Sequence, residues 1–192
     1  MTPCTIILPA HDEAGYIDAC LDHVLAQDHA GPVALVLVAN GCRDDTAGRA
    51  RAHAPGFIAR GWALEVLELP ALGKPGALDA GDGTACHPDR AYLDADVTVS
   101  PPLLGQIARV LDGAGARYAS GRPVVTRAAS TVTRAYARFW TRLPFVTRGV
   151  PGFGLYAVNA AGRARWGAFP KVISDDTFVR LSFAPAERHL VP

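Results

Sequence analysis

Between residues 4 and 111 the chain alternates four times between a short apolar run and a segment of helical periodicity, and this alternation constrains the fold more than any other feature. The runs are "CTIILPA" (4–10), "PVALVLVA" (32–39), "ALEVLEL" (63–69) and "RAYLDAD" (90–96). They are too short for helices, and the first two carry no polar face, which predicts strands covered on both sides. Between them, Ile17, Cys20, Leu21, Val24 and Leu25 recur at helical spacing within 13–27. "NGCRDDT" is a polar turn opening a second helix, and "GKPGALDAGDGTA" (73–85) reads as a glycine-punctuated third. Ser100 is expected to cap a fourth that begins with Pro101 and Pro102 and presents Leu103, Leu104, Ile107, Val110 and Leu111 on one face. Such alternation predicts an α/β fold with a mainly parallel sheet. Ligands in these sheets bind beyond the carboxyl ends of the strands, where the polar clusters 9–13, 40–46 and 94–96 all fall.

The second half is less regular. Strands are predicted at 116–121 and in the glycine-led "GFGLYAVN" (152–159), helices at 126–143, in "NAAGRARWG" and at 174–183, and a loop at "AFPKVI". One domain of 192 residues is long enough to bury a full core. A net charge of +1 offers no basic field for nucleic acid. No apolar run is long enough to cross a bilayer, and no leader precedes the first strand, so a cytoplasmic chain is expected. The four cysteines form no CxxC and the histidines no HxxxH pair, which argues against zinc and disulfides.

Asp94 and Asp96 end the fourth run two residues apart, so on an extended backbone their carboxylates share a face. Like charges held that close need a cationic partner. A divalent cation shared with a diphosphate is one, since hard cations take oxygen ligands; the plain alternative is two solvated acids at a strand end. Lys74 is one of only two lysines and follows a glycine, as suits a cation reaching an anion through an open turn. Asp12 and Glu13 fall at the start of the first helix, where the dipole favours acids whatever their role. Asp175 and Asp176 stand behind Ser174 at another helix start, as caps or as a general base. In 133–145, Arg134, Arg138 and Arg142 oppose Tyr136, Phe139, Trp140 and Leu143. That face suits either an ordinary amphipathic helix or peripheral contact with an anionic membrane.

In order, "TIILPAHDEAGYIDACLDHVLAQ", "VLVANGCRDDT", "GKPGALDAG", "YLDADVTVSPPLL" and "GAFPKVISDDTFVRL" resemble the successive motifs of family 2 glycosyltransferases, over residues 4 to 182. The resemblance implies a GT-A fold: a nucleotide-sugar-binding half over about 1–98 and an acceptor and catalytic-base half over about 99–192. It implies inverting transfer from a UDP- or GDP-linked sugar to a saccharide, lipid or small-molecule acceptor. By the same resemblance Pro9, Ala10, Asp12 and Glu13 line the nucleoside pocket, and Asp96 binds Mg²⁺ or Mn²⁺ with Asp94 nearer the ribose or sugar. Gly152 and Gly154 lie near the donor sugar, and Asp176, beside Asp175, is the base.

The chain departs from the pattern in places. Ala39 and Asn40 stand where uridine-dependent members carry two acids, which unsettles the choice of base, although an amide still hydrogen-bonds a base edge. No QxxRW motif follows, against a processive polymerase, and the chain stops early for the family. Two other readings remain open: a nucleotide-sugar-binding module without turnover, and a sugar-phosphate nucleotidyltransferase, which lacks support because no GxGTR-like loop follows the first strand.

Overall fold

The computed structural model describes residues 2–125, 130, 139, 142 and 149–192. Strands β1 (Cys4–Ala10), β2 (Val33–Asn40), β3 (Ala63–Leu69), β4 (Asp89–Leu93), β5 (Tyr118–Gly121), β6 (Leu155–Val158) and β7 (Arg188–Val191) form one sheet in the order β3-β2-β1-β4-β6-β5-β7. β1 pairs in parallel with β2 and β4, and β2 with β3, while β6 runs antiparallel to both its neighbours. The expected mainly parallel α/β sheet is therefore present.

The period-two alternation of strand side chains divides the core. Ile6, Leu8, Leu35 and Leu37 face one side, packed with Ile17, Leu21 and Val24 of α1 (Ile17–Leu25) and Leu104 and Ile107 of α5 (Leu103–Leu111). α2 (Thr46–Ala52) and α3 (Ala54–Ala59) add Ala50 and Phe57 to that side. Val36 and Val38 face Ala77 of α4 (Gly73–Thr84), and Ile7 packs with Leu78 of the same helix. Beside them Tyr92, Tyr118 and Tyr156 stack, joined by Val179 of α7 (Asp175–Leu181). Asp82 of α4 accepts from Arg90, from the Tyr92 hydroxyl and from Arg163 of α6 (Ala160–Arg163), locking the second layer to the sheet.

Several local expectations are corrected. β4 ends at Leu93, because the Asp94 N–H goes to the Gly154 carbonyl and the Val97 N–H turns back to that of Asp94. Asp94 and Asp96 therefore sit in a turn, not on a shared strand face. Ser100 does not cap α5 with its side chain; the Gln27 Oε1, brought across from the end of α1, accepts from the Leu104 N–H at 2.8 Å, and the helix starts after both prolines. The first helix begins at Ile17, so Asp12 and Glu13 are not in its first turn. β7 was not anticipated; its "RHLV" carries two basic residues, yet it pairs in parallel with β5 at the sheet edge. The helix expected at 126–143 and the cationic face at 133–145 lie outside the described residues, apart from isolated positions. No helix among the described residues is long and apolar enough to cross a membrane.

Candidate functional site

Parallel pairing brings the carboxyl ends of β1, β2 and β4 to one edge, so three turns converge there: Pro9–Glu13, Asn40–Thr46 and Asp94–Asp96. The first two are tied together. Asp12 adopts φ +56° and its carboxylate accepts from the Arg43 N–H at 2.6 Å. The Glu13 N–H reaches the Thr46 hydroxyl, and the Ala14 N–H reaches Asp44. The His11 Nδ1 lies 2.7 Å from the Asn40 carbonyl oxygen, which can only accept, so this nitrogen carries the proton.

Two adjoining cavities open on this edge. The first, of about 440 Å³, is lined by Pro9, Ala10, His11, Glu13, Asn40, Ala71, Gly73, Lys74 and Asp94–Asp96. The second, of about 140 Å³, shares Pro9, Lys74 and Asp94 and adds Gly152, Phe153, Gly154, Ser174, Asp175 and Asp176. Of the donor, metal and catalytic residues expected from sequence, all but one line these cavities. Asp12 lines neither cavity and serves the Arg43 turn instead.

Lys74 holds the boundary between the cavities. Its Nζ is 2.7 Å from Asp94 Oδ1 and 3.0 Å from Asp175 Oδ1. Burial alone would depress this ammonium, but Asp94 and Asp175 outweigh it and hold its pKa above the ordinary lysine value. Sequence reading left the cationic partner of Asp94 to a metal; Lys74 already supplies one, from 20 residues upstream. Burial still raises the Asp94 carboxyl against the lowering by Lys74.

The two late acids have different surroundings. Asp175 is buried, and both its oxygens are occupied, Oδ1 by Lys74 and Oδ2 by the Tyr156 hydroxyl at 2.9 Å. Asp176 is half-buried, with Oδ1 accepting from the Ser174 hydroxyl and the Thr177 N–H, and Oδ2 without a partner among the described residues. Ser174 therefore orients Asp176 rather than capping α7. Asp175 is the anchored acid, and Asp176 the one with an oxygen unengaged among the described residues.

Gly152 and Gly154 both adopt φ +79°. A Cβ on Gly152 would lie 1.7 Å from the Tyr118 hydroxyl, so the floor of the second cavity requires glycine there. Tyr118 was not singled out from sequence, since its proximity arises only when β5 pairs with β6.

The donor set suits a hard cation. Asp96 is exposed and free of hydrogen bonds and ion pairs among the described residues. Burial, followed by the negative charges of Asp96, Asp44 and Asp94, raises the Glu13 carboxyl. The carboxylate oxygens of Asp96 and Glu13, which Lys74 does not engage, are hard donors beside the first cavity of the kind a divalent ion bound with a diphosphate takes. A second cluster, Asp12, Cys42 and Asp44, brings three potential ligand atoms together, but both acids are already taken up by turn N–H groups.

Comparison with known proteins identifies the family and the fold. The sequence profile of glycosyl transferase family 2 matches residues 5–166. The chain superposes on mannosyltransferase PcManGT from Pyrobaculum calidifontis, solved in complex with GDP-Man and Mn²⁺, with TM-score 0.74 and 24% identity, covering 98% of this chain and 54% of that one. TarS 1–349 of S. aureus in complex with UDP gives TM-score 0.70 and 15% identity over 98% of this chain and 57% of that one. Glucosyl-3-phosphoglycerate synthase of Mycobacterium tuberculosis, in complex with Mn²⁺, UDP-Glc and phosphoglyceric acid, gives 0.63 and 21% over 99% and 69%. At these identities the likeness establishes a GT-A fold, and this chain spans a little over half the length of the first two. No curated protein matches it.

Proposed function

The chain belongs to glycosyl transferase family 2, and on that premise we propose that it transfers a sugar from a nucleoside-diphosphate sugar to an acceptor hydroxyl with inversion, assisted by Mg²⁺ or Mn²⁺. The observation that carries this reading is the pair of adjoining cavities, one bordered by Asp94 and Asp96 and the other by Asp176, with Lys74 between them. The first has the size for a nucleoside diphosphate and the negative charge for a cation bound with it, and the second, with Gly152 and Gly154 near the donor sugar, has a base on its wall for the acceptor hydroxyl. Solved relatives in complex with GDP-Man or UDP-Glc, each with Mn²⁺, support the donor class and the cation.

In this reading the nucleoside lies along Pro9–His11 and Asn40, and the diphosphate beside Lys74 and Asp96. Asp176 Oδ2 removes the proton of the acceptor hydroxyl. The hydroxyl oxygen forms its bond to the anomeric carbon as the bond to the diphosphate oxygen breaks, and that electron pair leaves with the nucleoside diphosphate. A single displacement from the opposite face inverts the anomeric centre. Asp96, with Asp94, would hold the divalent cation, whose chemistry is to neutralise charge developing on the leaving diphosphate. Asp175 fixes the start of α7 through Tyr156 and Lys74, so that Asp176 is presented in one orientation. The acceptor is drawn from the saccharide, lipid or small-molecule classes, with its reacting hydroxyl at the second cavity.

Donor hydrolysis, with water as acceptor, tests the role of Asp176 without knowledge of the natural acceptor. Asp176→Asn should leave nucleoside diphosphate affinity within about twofold while turnover falls roughly 10²–10⁴-fold, the range for loss of a general base. Turnover close to wild type would remove Asp176 from that role. A binding module without turnover is the second reading, and it requires that wild-type protein bind nucleotide yet never release sugar.

A further inference from the structure

One turn along α7 from Asp176 stands a cation that the fold leaves unpaired. The half-buried arginines among the described residues are Arg60, Arg90, Arg117, Arg163, Arg180 and Arg188. All but Arg180 donate hydrogen bonds, to Asp82 or to main-chain carbonyls. The Arg180 side chain makes no hydrogen bond, ion pair or ring contact among the described residues; its Nε is sealed from solvent and its terminal nitrogens are not. A partly desolvated guanidinium without acceptors is costly, and a bound anion would complete it. Arg180 follows Asp176 by four residues, so the two share a face of the helix with their Cβ atoms about 5–6 Å apart. An acid and a base in that order commonly pair, but Asp176 Oδ1 turns back to the Ser174 hydroxyl and the Thr177 N–H, and no pair forms. The Tyr118 hydroxyl relates Arg180 to the second cavity. It lies against the cavity-wall residue Gly152 and is itself buried without a partner among the described residues. Burial raises its pKa, Asp176 adds to the rise, and Arg180 and Arg188 oppose it, so both guanidinium charges reach the back of that wall.

We propose, resting on the transfer reaction described above, that Arg180 is an anion-binding site for the acceptor, holding a phosphate or carboxylate on the molecule whose hydroxyl Asp176 deprotonates. The two terminal nitrogens of a guanidinium present parallel donors, which either oxyanion accepts bidentately. Base and cation stand about one helical turn apart, roughly 5.4 Å. The acceptor is therefore compact, with its anionic group a few bonds from the reacting hydroxyl. Ser174 and Thr177 hold Asp176 Oδ1, which leaves Oδ2 for that hydroxyl while Arg180 holds the other end. The nearby negative charge of Asp175 is already met by Lys74. Arg180 lines neither cavity, so the site lies beyond the mouth of the second one, along α7.

The test is calorimetric titration of glycerol 3-phosphate, glycerate and glycerol into the full chain, with and without GDP or UDP and Mn²⁺. The three probes share neighbouring hydroxyls and differ in carrying a phosphate, a carboxylate or no charge. Wild type should bind one or both anionic probes about tenfold or more tightly than glycerol, the gain expected of a hydrogen-bonded charge pair, and the tighter of the two tells phosphate from carboxylate. Arg180→Met should bring that preference to within about twofold of none, and Arg180→Lys should keep part of it. The methionine variant loses no bond of the folded chain, so its Tm should be unchanged or higher, whereas a purely structural role for Arg180 would lower it. Equal binding of the three probes by wild type overturns the inference, and so does a folded Arg180→Met protein that keeps the preference. Failure to bind either nucleotide removes the donor site instead, and the titrations without nucleotide still decide whether Arg180 holds an anion.

Discussion

Replacing Lys74 with methionine keeps most of the side-chain volume and removes the cation that bridges Asp94 and Asp175. The magnitude follows from the different exposure of the two ion pairs. Asp175 is 7% exposed at its side chain, whereas Asp94 and Lys74 are 37% and 43% exposed. Removing one partner of a fully buried pair costs about 3–5 kcal/mol, and an exposed pair is worth about 0–1 kcal/mol. With one end buried and the other in contact with water, the loss should be about 2–3 kcal/mol. In a chain of this length that is roughly 4–12 °C in Tm. Thermal and urea unfolding of Lys74→Met, Asp175→Asn and the double variant resolve the pair, because the neutral amide in Asp175→Asn needs no cation and its oxygen can still accept from the Tyr156 hydroxyl. The double variant should be more stable than the sum of the single losses by about 1 kcal/mol or more. A Lys74→Met loss below about 0.5 kcal/mol, or strict additivity, would refute the view that Lys74 anchors the two acids.

Gly152→Ala should cost about 2–4 kcal/mol, since it combines a left-handed backbone with a Cβ 1.7 Å from the Tyr118 hydroxyl. Tyr118→Phe, which deletes a buried hydroxyl with no partner among the described residues, should be within about 1 kcal/mol of wild type and should recover part of the Gly152→Ala loss; chemical denaturation measures both. His29 is 1% exposed, and burial lowers its pKa below the usual 6.5. The unfolded chain therefore binds a proton below about pH 6.5 that the folded chain refuses, and folding stability falls as pH drops from there, by at most about 1.4 kcal/mol per pH unit. His29→Leu should flatten that slope in urea midpoints taken between pH 7 and 5, and an unchanged slope would assign the pH dependence to other groups.

How far the sequence foretold this arrangement depends on the range of the interactions. β1 and β2 were legible because buried parallel strands are written as unbroken apolar runs, and their ends located the site at once. β7 was not, since "RHLV" has neither an apolar run nor alternation and becomes a strand by pairing with β5. The turn at Asp94–Asp96 was read as strand because "LDADV" gives no local stop; the stop comes from Gly154, whose carbonyl takes the Asp94 N–H. Gln27 capping α5, Lys74 bridging Asp94 and Asp175, and Leu72 locking Asn40 all join residues 20 or more apart in the chain. Periodicity and motif spacing report on neighbours in sequence, so contacts of this kind emerge only once the sheet has ordered its edges. Asp12 illustrates the converse: its motif position pointed to the nucleoside pocket, and its carboxylate was claimed by the Arg43 turn.

The central claim is that the edge beyond β1, β2 and β4 is a cation-assisted nucleoside-diphosphate site organised around Asp96. Titration of GDP and of UDP with and without Mn²⁺, into wild type and Asp96→Ala, addresses it directly. Asp96 is exposed and makes no hydrogen bond among the described residues, so the variant should fold with an unchanged Tm. Binding that needs Mn²⁺ in wild type and weakens about tenfold or more in Asp96→Ala is the expected result. Binding indifferent to Mn²⁺, or as tight in the variant as in wild type, would contradict the account.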